Sequence, residues 1–242
     1  MPADPLPLLH RDPHLVAWLK PSGLLVHNSA WSGPREESLA RHARAVLGVP
    51  VFGVHRLDRG ASGVVLLALD ADTARALQDA WHGPPTRKHY LALVRGNLEG
   101  AQVVDHPVTG EDGVRRDARS TVRALCPGVT ERVTLVAVEI HTGRHHQVRR
   151  HLKHLRHPVV GDASHGDNRF NRALVGQGGP TRLALHAHRL TLTHPVTGEA
   201  LALHAPVPAD LATPLDTLLG PGWRARVAAE VDGLDATVER RN

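Results

Sequence analysis

A carboxylate flanked by two arginines lies in a short polar turn of this chain. Asp58 stands between Arg56 and Arg59 in the stretch 55–63, which has apolar residues on both sides. One interpretation is a surface ion pair, since exposed pairs are common and weak. The other is that the ionised carboxylate acts as a nucleophile. The small residues that follow Asp58 allow a sharp turn before an apolar strand.

A segment rich in histidine and arginine, 141–152, supplies a candidate partner for this carboxylate. On a helix, Arg149 lies beside the apolar residues Val148 and Leu152, so its guanidinium is partly desolvated. A buried charge without a partner is strongly destabilising, and Arg149 therefore needs an anion. Asp58 is a natural candidate, and this pairing would hold the carboxylate in its charged form.

The only tyrosine of the chain, Tyr90, lies in a predicted strand over 88–96, where it shares one face with Lys88. A half-buried strand aromatic is the ordinary interpretation. The alternative is a platform on which a planar ring stacks, a contact that contributes about 1–3 kcal/mol per base.

The histidines of the segment 141–152 also raise the question of a metal site. His141 and His145 have the i, i+4 spacing that can bind zinc. However, no glutamate completes an H-E-x-x-H pattern, and the cationic neighbours oppose a divalent ion. We therefore predict no metal ligands, and a metal-dependent phosphodiesterase is the less favoured alternative.

Composition favours a polyanionic partner. The 242 residues include 29 Lys and Arg against 24 Asp and Glu, and almost all of the basic residues are arginines, which bind phosphate bidentately and stack on bases. Between 144 and 172, many basic side chains accompany only two acidic ones, Asp162 and Asp167. This clustering predicts a phosphate-binding surface, and a solvated basic face is the alternative.

Other features exclude whole classes of protein. The single Cys126 excludes an internal disulfide and a cysteine-based zinc site. No apolar stretch approaches the roughly 18 residues of a membrane-spanning helix, and residues 1–10 do not resemble a signal peptide. We expect a cytoplasmic protein that does not bind membranes and has no obligate protein partner.

The apolar periodicity predicts an α+β protein, with strands more numerous than helices. The predicted strands are 15–19, 24–27, 64–69, 88–96, 120–125, 133–140, 183–187, 190–193 and 201–203. The predicted helices are 35–47, capped by Ser32, 71–82, capped by Asp70, 145–155 and 211–219. Residues 161–180 are predicted to form a polar loop, and residues past Arg226 to fray.

Four motifs, in this order, resemble those of the RluA-type family of RNA pseudouridine synthases. They are Lys20-Pro21-Ser22-Gly23, His55-Arg56-Leu57-Asp58-x-x-Ala61-Ser62-Gly63, Lys88-x-Tyr90-x-Ala92 and Thr142-Gly143-Arg144-x-His146-Gln147-Val148-Arg149. Ala61 stands where the family signature has threonine. Each motif alone is short, but the ordered combination is specific.

The resemblance implies the pseudouridine synthase fold, a mixed, mainly antiparallel sheet with a central catalytic cleft. One catalytic domain would occupy 1–242, with its core at about 8–206, a C-terminal extension at 207–242 and no S4 domain. The implied reaction breaks the N-glycosidic bond of uridine and joins the uracil to the sugar through carbon. Asp58 would be the nucleophile, Tyr90 would pack against the uracil and Arg149 would pair with Asp58. No cofactor or metal is implied.

The implied partner is RNA. Within the family, the chain is most similar to a subgroup that modifies uridine 65 of tRNA. An rRNA-directed synthase and a catalytically inert RNA-binding protein are the alternatives. Arg56 would enter the RNA stack when the uridine flips out. The expected RNA-binding residues are Arg56, Arg59, Lys88, Arg144, His146, Arg150, Lys153, Arg169 and Arg172.

Overall fold

A computed structural model of the protein describes residues 6–28, 36–81 and 83–239. Its strands are β1 (Leu8–Arg11), β2 (Leu15–Lys20), β3 (Phe52–Gly53), β4 (Ser62–Ala68), β5 (Arg87–Arg95), β6 (Ala101–Asp105), β7 (Val108–Thr109), β8 (Arg115–Arg116), β9 (Arg119–Pro127), β10 (Val133–Ile140), β11 (Leu185–Thr193) and β12 (Ala200–His204). Its helices are α1 (Leu39–Leu47), α2 (Ala71–Ala80), α3 (Gln147–His154), α4 (Asn168–Val175), α5 (Ala209–Leu219) and α6 (Trp223–Glu239).

Ten of these strands form one sheet in the order β1-β2-β4-β11-β5-β10-β9-β6, with β12 beside β11 and β3 beside β4. Every pair in it is antiparallel except β4 and β11, which are parallel. The predicted mixed, mainly antiparallel sheet is therefore confirmed. The parallel pair brings together strands that lie more than 100 residues apart in sequence.

The close approach of β4 to β11 depends on a glycine. Gly63 has a φ of +127°, and a Cβ at this position would lie 2.2 Å from the carbonyl oxygen of Ala187. Only glycine fits such a backbone conformation at such a distance. The stretch that carries Asp58 therefore leads directly into the strand that joins the two halves of the sheet.

Helices cover the sheet with apolar side chains at helical spacing. Ala74 and Leu77 of α2 pack in one cluster with β2 and β4. Leu39 and Ala43 of α1 pack in a second cluster with the same strands. The largest cluster joins β5 and β10 to α3, α5 and α6. These contacts fix the start of α3, where the basic segment begins, against the end of β10.

Several predicted elements need correction. Residues 24–27 form no strand, only an isolated bridge between Leu25 and Ser38. Helix α1 begins at Leu39 with Ser38 as its N-cap, and the predicted cap Ser32 and start Arg35 lie outside the described residues. The predicted strands 183–187 and 190–193 are one strand, β11, which begins only at Leu185.

The C-terminal half contains two helices that were not predicted. Helix α4 lies within the predicted loop 161–180, and the side chain of Asp167 caps it by accepting from the amide of Phe170 at 2.9 Å. Helix α6 continues past Arg226, because Trp223 and Val227 are buried in the main core. In the described part of the chain, no helix is long and apolar enough to cross a membrane.

Candidate active site

A cleft of about 600 Å³ opens beside the start of α3. The loop before β4, strand β5, the β7–β8 hairpin and the first turn of α3 all contribute to its walls. Asp58, Tyr90 and Arg149 line this one cleft, although they lie far apart in sequence. The three residues that the motifs single out for chemistry are therefore close in space.

Asp58 forms an ion pair with Arg149, as the sequence predicted. The Nη1 of Arg149 donates to Oδ2 of Asp58 at 3.0 Å. The side chain of Arg149 is 8% exposed and that of Asp58 is 20% exposed, so the pair lies at the cleft floor but remains accessible from the cleft. Arg59, the neighbour in sequence, instead pairs with Glu36 at 2.8 Å.

A second carboxylate, Asp162, holds the other side of Arg149. The Nε and Nη2 of Arg149 donate to the two oxygens of Asp162, both at 2.7 Å. The side chain of Asp162 is completely buried. Arg149 is thus fixed bidentately by one carboxylate and offers its remaining nitrogen to Asp58. The sequence analysis missed this role of Asp162, whose position after the apolar Val159 and Val160 is too weak a signal to predict it.

The charge of Asp162 is stabilised inside the protein. Burial acts to raise the pKa of Asp162, but the guanidinium of Arg149 and the backbone amides of Ser164 and His165 lower it below its ordinary value. Both amides donate to Oδ1 of Asp162 at 2.9 Å. Asp162 therefore stays ionised and also fixes the loop that carries His165.

The other oxygen of Asp58 faces a histidine. The Nε2 of His146 lies 3.7 Å from Oδ1 of Asp58, and its Nδ1 lies 3.0 Å from Nε2 of His165. The ring of His145 stacks on that of His146, with centroids 3.7 Å apart. The pKa of His146 is lowered to about 4, mainly by burial and also by the charge of Arg149, although the charge of Asp58 acts in the opposite direction. His146 is consequently neutral at neutral pH.

The turn into α3 determines where His146 points. The side-chain oxygen of Gln147 accepts from the hydroxyl of Thr142 at 2.7 Å and from the amide of Arg144 at 3.0 Å. Its amide nitrogen donates to the carbonyl of Arg119 at 3.0 Å. His146, just before α3, adopts the left-handed conformation with φ +54° and ψ +27°. The buried glutamine thus imposes a backbone conformation that is uncommon for a residue other than glycine.

A buried lysine supports the loop of Asp58 from behind. Lys20 is fully buried, and its ammonium donates to the carbonyls of Leu24 at 2.8 Å and Arg59 at 3.2 Å, among others. Ser22 donates to the carbonyl of Gly60 at 2.7 Å. Burial lowers the pKa of Lys20 to about 7, although the charge of Asp58 acts to raise it. The motif Lys20-Pro21-Ser22-Gly23 therefore fixes the loop of Asp58 through hydrogen bonds to the backbone of Arg59 and Gly60.

An apolar wall faces the carboxylate. Tyr90 of β5 is half-buried, and Ile140, Val148 and Leu185 line the cleft with it. Burial raises the pKa of Tyr90 above its ordinary value, and the charge of Asp58 raises it further, so the phenol is uncharged. An uncharged aromatic beside aliphatic side chains suits a planar, neutral ring such as uracil.

Lys88, predicted to bind RNA, lies at the inner end of the cleft. Its ammonium donates to the carbonyl of Trp81 at 2.9 Å and lies 5.3 Å from the centre of that indole ring. Burial lowers the pKa of Lys88 to about 8. The ring of His55 stacks on Trp81, with centroids 4.4 Å apart. This end of the cleft is therefore a packed wall with one cation held close to the protein backbone.

The remaining predicted RNA-binding residues divide into two groups. Those that line the cleft are Arg56, Arg144 and His146. Those outside its lining are Arg59, Arg150, Lys153, Arg169 and Arg172. Arg150 binds the carbonyl of Thr109 in the β7–β8 hairpin, whereas Lys153, Arg169 and Arg172 are exposed. Within the described residues, no group of three or more histidine, cysteine or acidic side chains has the arrangement of a metal site.

Comparison with known proteins identifies the family. The family described as RNA pseudouridylate synthase matches residues 14–154, which is more than half of the chain and spans the loop of Asp58, Tyr90 and Arg149. The chain belongs to this family. The RNA pseudouridylate synthases are isomerases, so the predicted family and enzyme class are confirmed.

The relatives agree over most of the chain. The protein named tRNA pseudouridine synthase C of Salmonella typhimurium is 39% identical over 239 residues, which cover 90% of this chain and 91% of that protein. The protein of the same name from Yersinia pestis is 40% identical and covers 83% of this chain and 86% of its own length.

Solved structures confirm the predicted fold. The human RNA pseudouridylate synthase domain containing 4 superposes with a TM-score of 0.71 at 27% identity, over 87% of this chain and 92% of that chain. The human RNA pseudouridylate synthase domain containing 1 gives a TM-score of 0.72 at 23% identity, over 90% of this chain and 91% of that chain. The sheet described above is thus that of the pseudouridine synthase fold.

Proposed function

We propose that this RNA pseudouridylate synthase isomerises uridine 65 of tRNA and that Asp58 is its nucleophile. The observation that carries the proposal is the chain of contacts from Asp162 through Arg149 to Asp58, which places a carboxylate paired with a buried guanidinium in a cleft with an apolar wall. The choice of tRNA is supported by the relatives named tRNA pseudouridine synthase C. Uridine 65 follows from the motif resemblance to the subgroup that modifies it.

The reaction requires that the uridine leave the RNA stack and enter the cleft. The uracil then packs against Tyr90, and Oδ1 of Asp58, which Arg149 does not bind, faces the sugar. Attack of Asp58 on C1′ displaces N1, and the electron pair of the broken bond passes to the uracil. The detached ring rotates, C5 bonds to C1′ and the carboxylate leaves. Loss of the proton from C5 and its uptake at N1 complete the isomer.

Basic side chains at and beyond the mouth of the cleft bind the RNA. Arg56 is exposed at the mouth of the cleft, where it can fill the gap left by the flipped base. Lys153, Arg169 and Arg172 extend the basic surface beyond the cleft. Such contacts to phosphates supply affinity that is independent of sequence and sensitive to salt. A substrate of this kind implies that the enzyme acts in the cytoplasm, where tRNA is found.

Tritium release tests the proposal directly. The protein is incubated with tRNA labelled with tritium at C5 of uracil, and the parent should release tritium into water. Asp58→Asn should release none, whereas the matched control Asp72→Asn, which alters an exposed ion pair on α2, should match the parent. A tRNA with cytidine at position 65 should retain its label.

Each alternative function predicts a different result. Release from rRNA but not from tRNA would assign the enzyme to an rRNA target. Salt-sensitive RNA binding without release from any RNA would show an inert RNA-binding protein. Loss of release after treatment with a chelator would favour a metal-dependent reaction, and no such loss is expected from the proposed chemistry.

A further inference from the structure

We infer that His146 removes the C5 proton of the rotated uracil and that His165 passes this proton to solvent. The inference rests on the proposed function, because the C5 proton must leave in any uridine isomerisation. It assigns a catalytic residue to the removal of the C5 proton, for which neither Asp58 nor Arg149 is the base. Three features of the site carry it: the position of His146, its contact with His165, and the strained backbone that holds it in place.

The position of His146 follows from the carboxylate. When C5 bonds to C1′, it occupies the place that N1 has left, next to the carbon that Asp58 attacks. The Nε2 of His146 lies 3.7 Å from Oδ1 of Asp58, the oxygen that Arg149 leaves free. The imidazole lines the same cleft on the Oδ1 side of Asp58, and a ring joined to C1′ through C5 can turn its C5 hydrogen toward this side. A base must be within hydrogen-bond reach of the proton that it takes.

The other nitrogen of His146 has an exit path. Its Nδ1 lies 3.0 Å from Nε2 of His165, whose backbone amide is held by Asp162 at 2.9 Å. His165 is partly exposed, so its outer nitrogen can exchange a proton with water. Asp162 thus holds the groups on both sides of Asp58. It binds Arg149, which pairs with Oδ2 of Asp58, and it binds the backbone of His165, which contacts the histidine beside Oδ1.

Two neighbouring groups cannot take the proton. The phenol of Tyr90 is protonated, because burial raises its pKa, and the guanidinium of Arg149 is a cation. The charged groups that face His146 are Asp58 and Arg149, and the other rings against it are His145 and His165. His145 stacks on the ring face and also lies 3.4 Å from Glu111, so it does not occupy the edge that carries Nε2.

The C5 proton passes through both histidines to water. The C5–H bond breaks, its electron pair restores the C5–C6 double bond of the uracil, and Nε2 of His146 gains the proton. The Nδ1 proton of the same imidazole then moves to Nε2 of His165, and the outer nitrogen of His165 gives a proton to water. The imidazolium that forms for a moment lies beside the negative charge of Asp58, which stabilises it.

The backbone of His146 also points to a functional role. A φ of +54° is disfavoured for a residue with a side chain, and such strain persists where the surrounding structure enforces it. Here the buried Gln147 fixes the turn by four hydrogen bonds through its side chain. The strained conformation directs the imidazole into the cleft, toward Asp58, rather than along α3.

The test compares RNA carrying deuterium or hydrogen at C5 of the target uridine. For the parent, fast proton removal should give little difference in rate. His146→Ala should lower kcat by about 10²-fold, the lower range of general base catalysis, and an isotope effect should appear. Imidazole in the buffer should restore activity to this variant. His146→Asn should show the same isotope effect, since asparagine tolerates the left-handed conformation and preserves the fold.

Two further variants make the outcome decisive. His165→Ala should show a smaller loss of kcat with an isotope effect, and the control His154→Ala, an exposed histidine of the same helix, should behave as the parent does. His146 variants without an isotope effect or imidazole rescue would overturn the inference, as would an isotope effect that appears in Tyr90→Phe instead. If Asp58→Asn loses all activity but the His146 variants are unaffected, the role of His146 is overturned and the proposed function stands. An inactive parent would overturn the proposed function and the role of His146 together.

Discussion

Replacing Asp162 with asparagine tests whether this carboxylate holds the site together. Asp162 is completely buried, and its partner Arg149 is 8% exposed. Removal of one member of a buried ion pair typically destabilises a protein by about 3–5 kcal/mol. Because Asp58 remains as a partner of Arg149, we expect Asp162→Asn to lower the free energy of unfolding by an amount near the lower end of that range.

The same substitution should lower activity through position rather than through binding. Asparagine offers one acceptor oxygen, so Arg149 loses one of its two hydrogen bonds to this position and can rotate toward Asp58. A displacement of about 1 Å at a reacting group can reduce the rate by about 10²-fold. We expect this loss in kcat, with KM for RNA little changed, because the exposed arginines that we propose to bind RNA lie elsewhere.

Urea unfolding followed by tryptophan fluorescence measures the first effect, and single-turnover tritium release measures the second. The control Asp72→Asn breaks an exposed Asp–Arg pair and should leave both unchanged. The double variant with Asp58→Asn should be more destabilised than the sum of the single ones, since it leaves the buried Arg149 without either carboxylate. A loss of less than about 1 kcal/mol, as for an exposed pair, together with a normal kcat would refute this account of Arg149.

Three further predictions concern the fold and the RNA surface. Gly63→Ala should destabilise the protein by about 3 kcal/mol, since its Cβ would lie 2.2 Å from the carbonyl oxygen of Ala187, whereas Gly100→Ala, with φ +65° and open space, should cost about 1 kcal/mol by urea unfolding. Arg172→Ala, at an exposed arginine proposed to bind phosphate, should weaken RNA binding to all sequences and reduce the salt slope by about 1 in a filter-binding assay. Burial lowers the pKa of His188 to about 3, so the unfolded chain binds a proton first, and stability should fall as the pH drops below the ordinary value of 6.5. His188→Gln should reduce this acid sensitivity in melting curves at pH 7 and pH 5, and an identical pH dependence in both proteins would contradict the assignment.

Local sequence signals predicted much of the fold. Strand β10 has the bounds that its apolar pattern indicates, and α2 begins after its predicted cap Asp70. By contrast, α4 was missed because a polar, glycine-containing stretch surrounds it, although Asp167 supplies an N-cap signal. Pairings between distant strands, such as β4 with β11, are set by three-dimensional packing and have no local signal.

In the candidate site, too, some contacts have a local sequence signal and others depend on three-dimensional packing. The pairing of Asp58 with Arg149 could be predicted, since a desolvated arginine requires an anion and the motifs indicate which one. The contact of Arg149 with Asp162 could not, because a lone acidic residue after an apolar pair has many ordinary explanations. The left-handed conformation of His146 likewise depends on the buried side chain of Gln147, whose partners come from β9 and from the turn before α3.

The parallel pairing of β4 with β11 has a consequence for biosynthesis. The loop of Asp58 and strand β4 leave the ribosome early, but their neighbour β11 ends at residue 193 of 242. Domains fold as their segments emerge, and contacts between distant segments form slowly. Until β11 emerges, the start of β4 has an open edge, and the loop of Asp58 lacks the neighbouring strand that fixes it. We therefore expect a nascent chain that ends before β11 to be inactive on RNA.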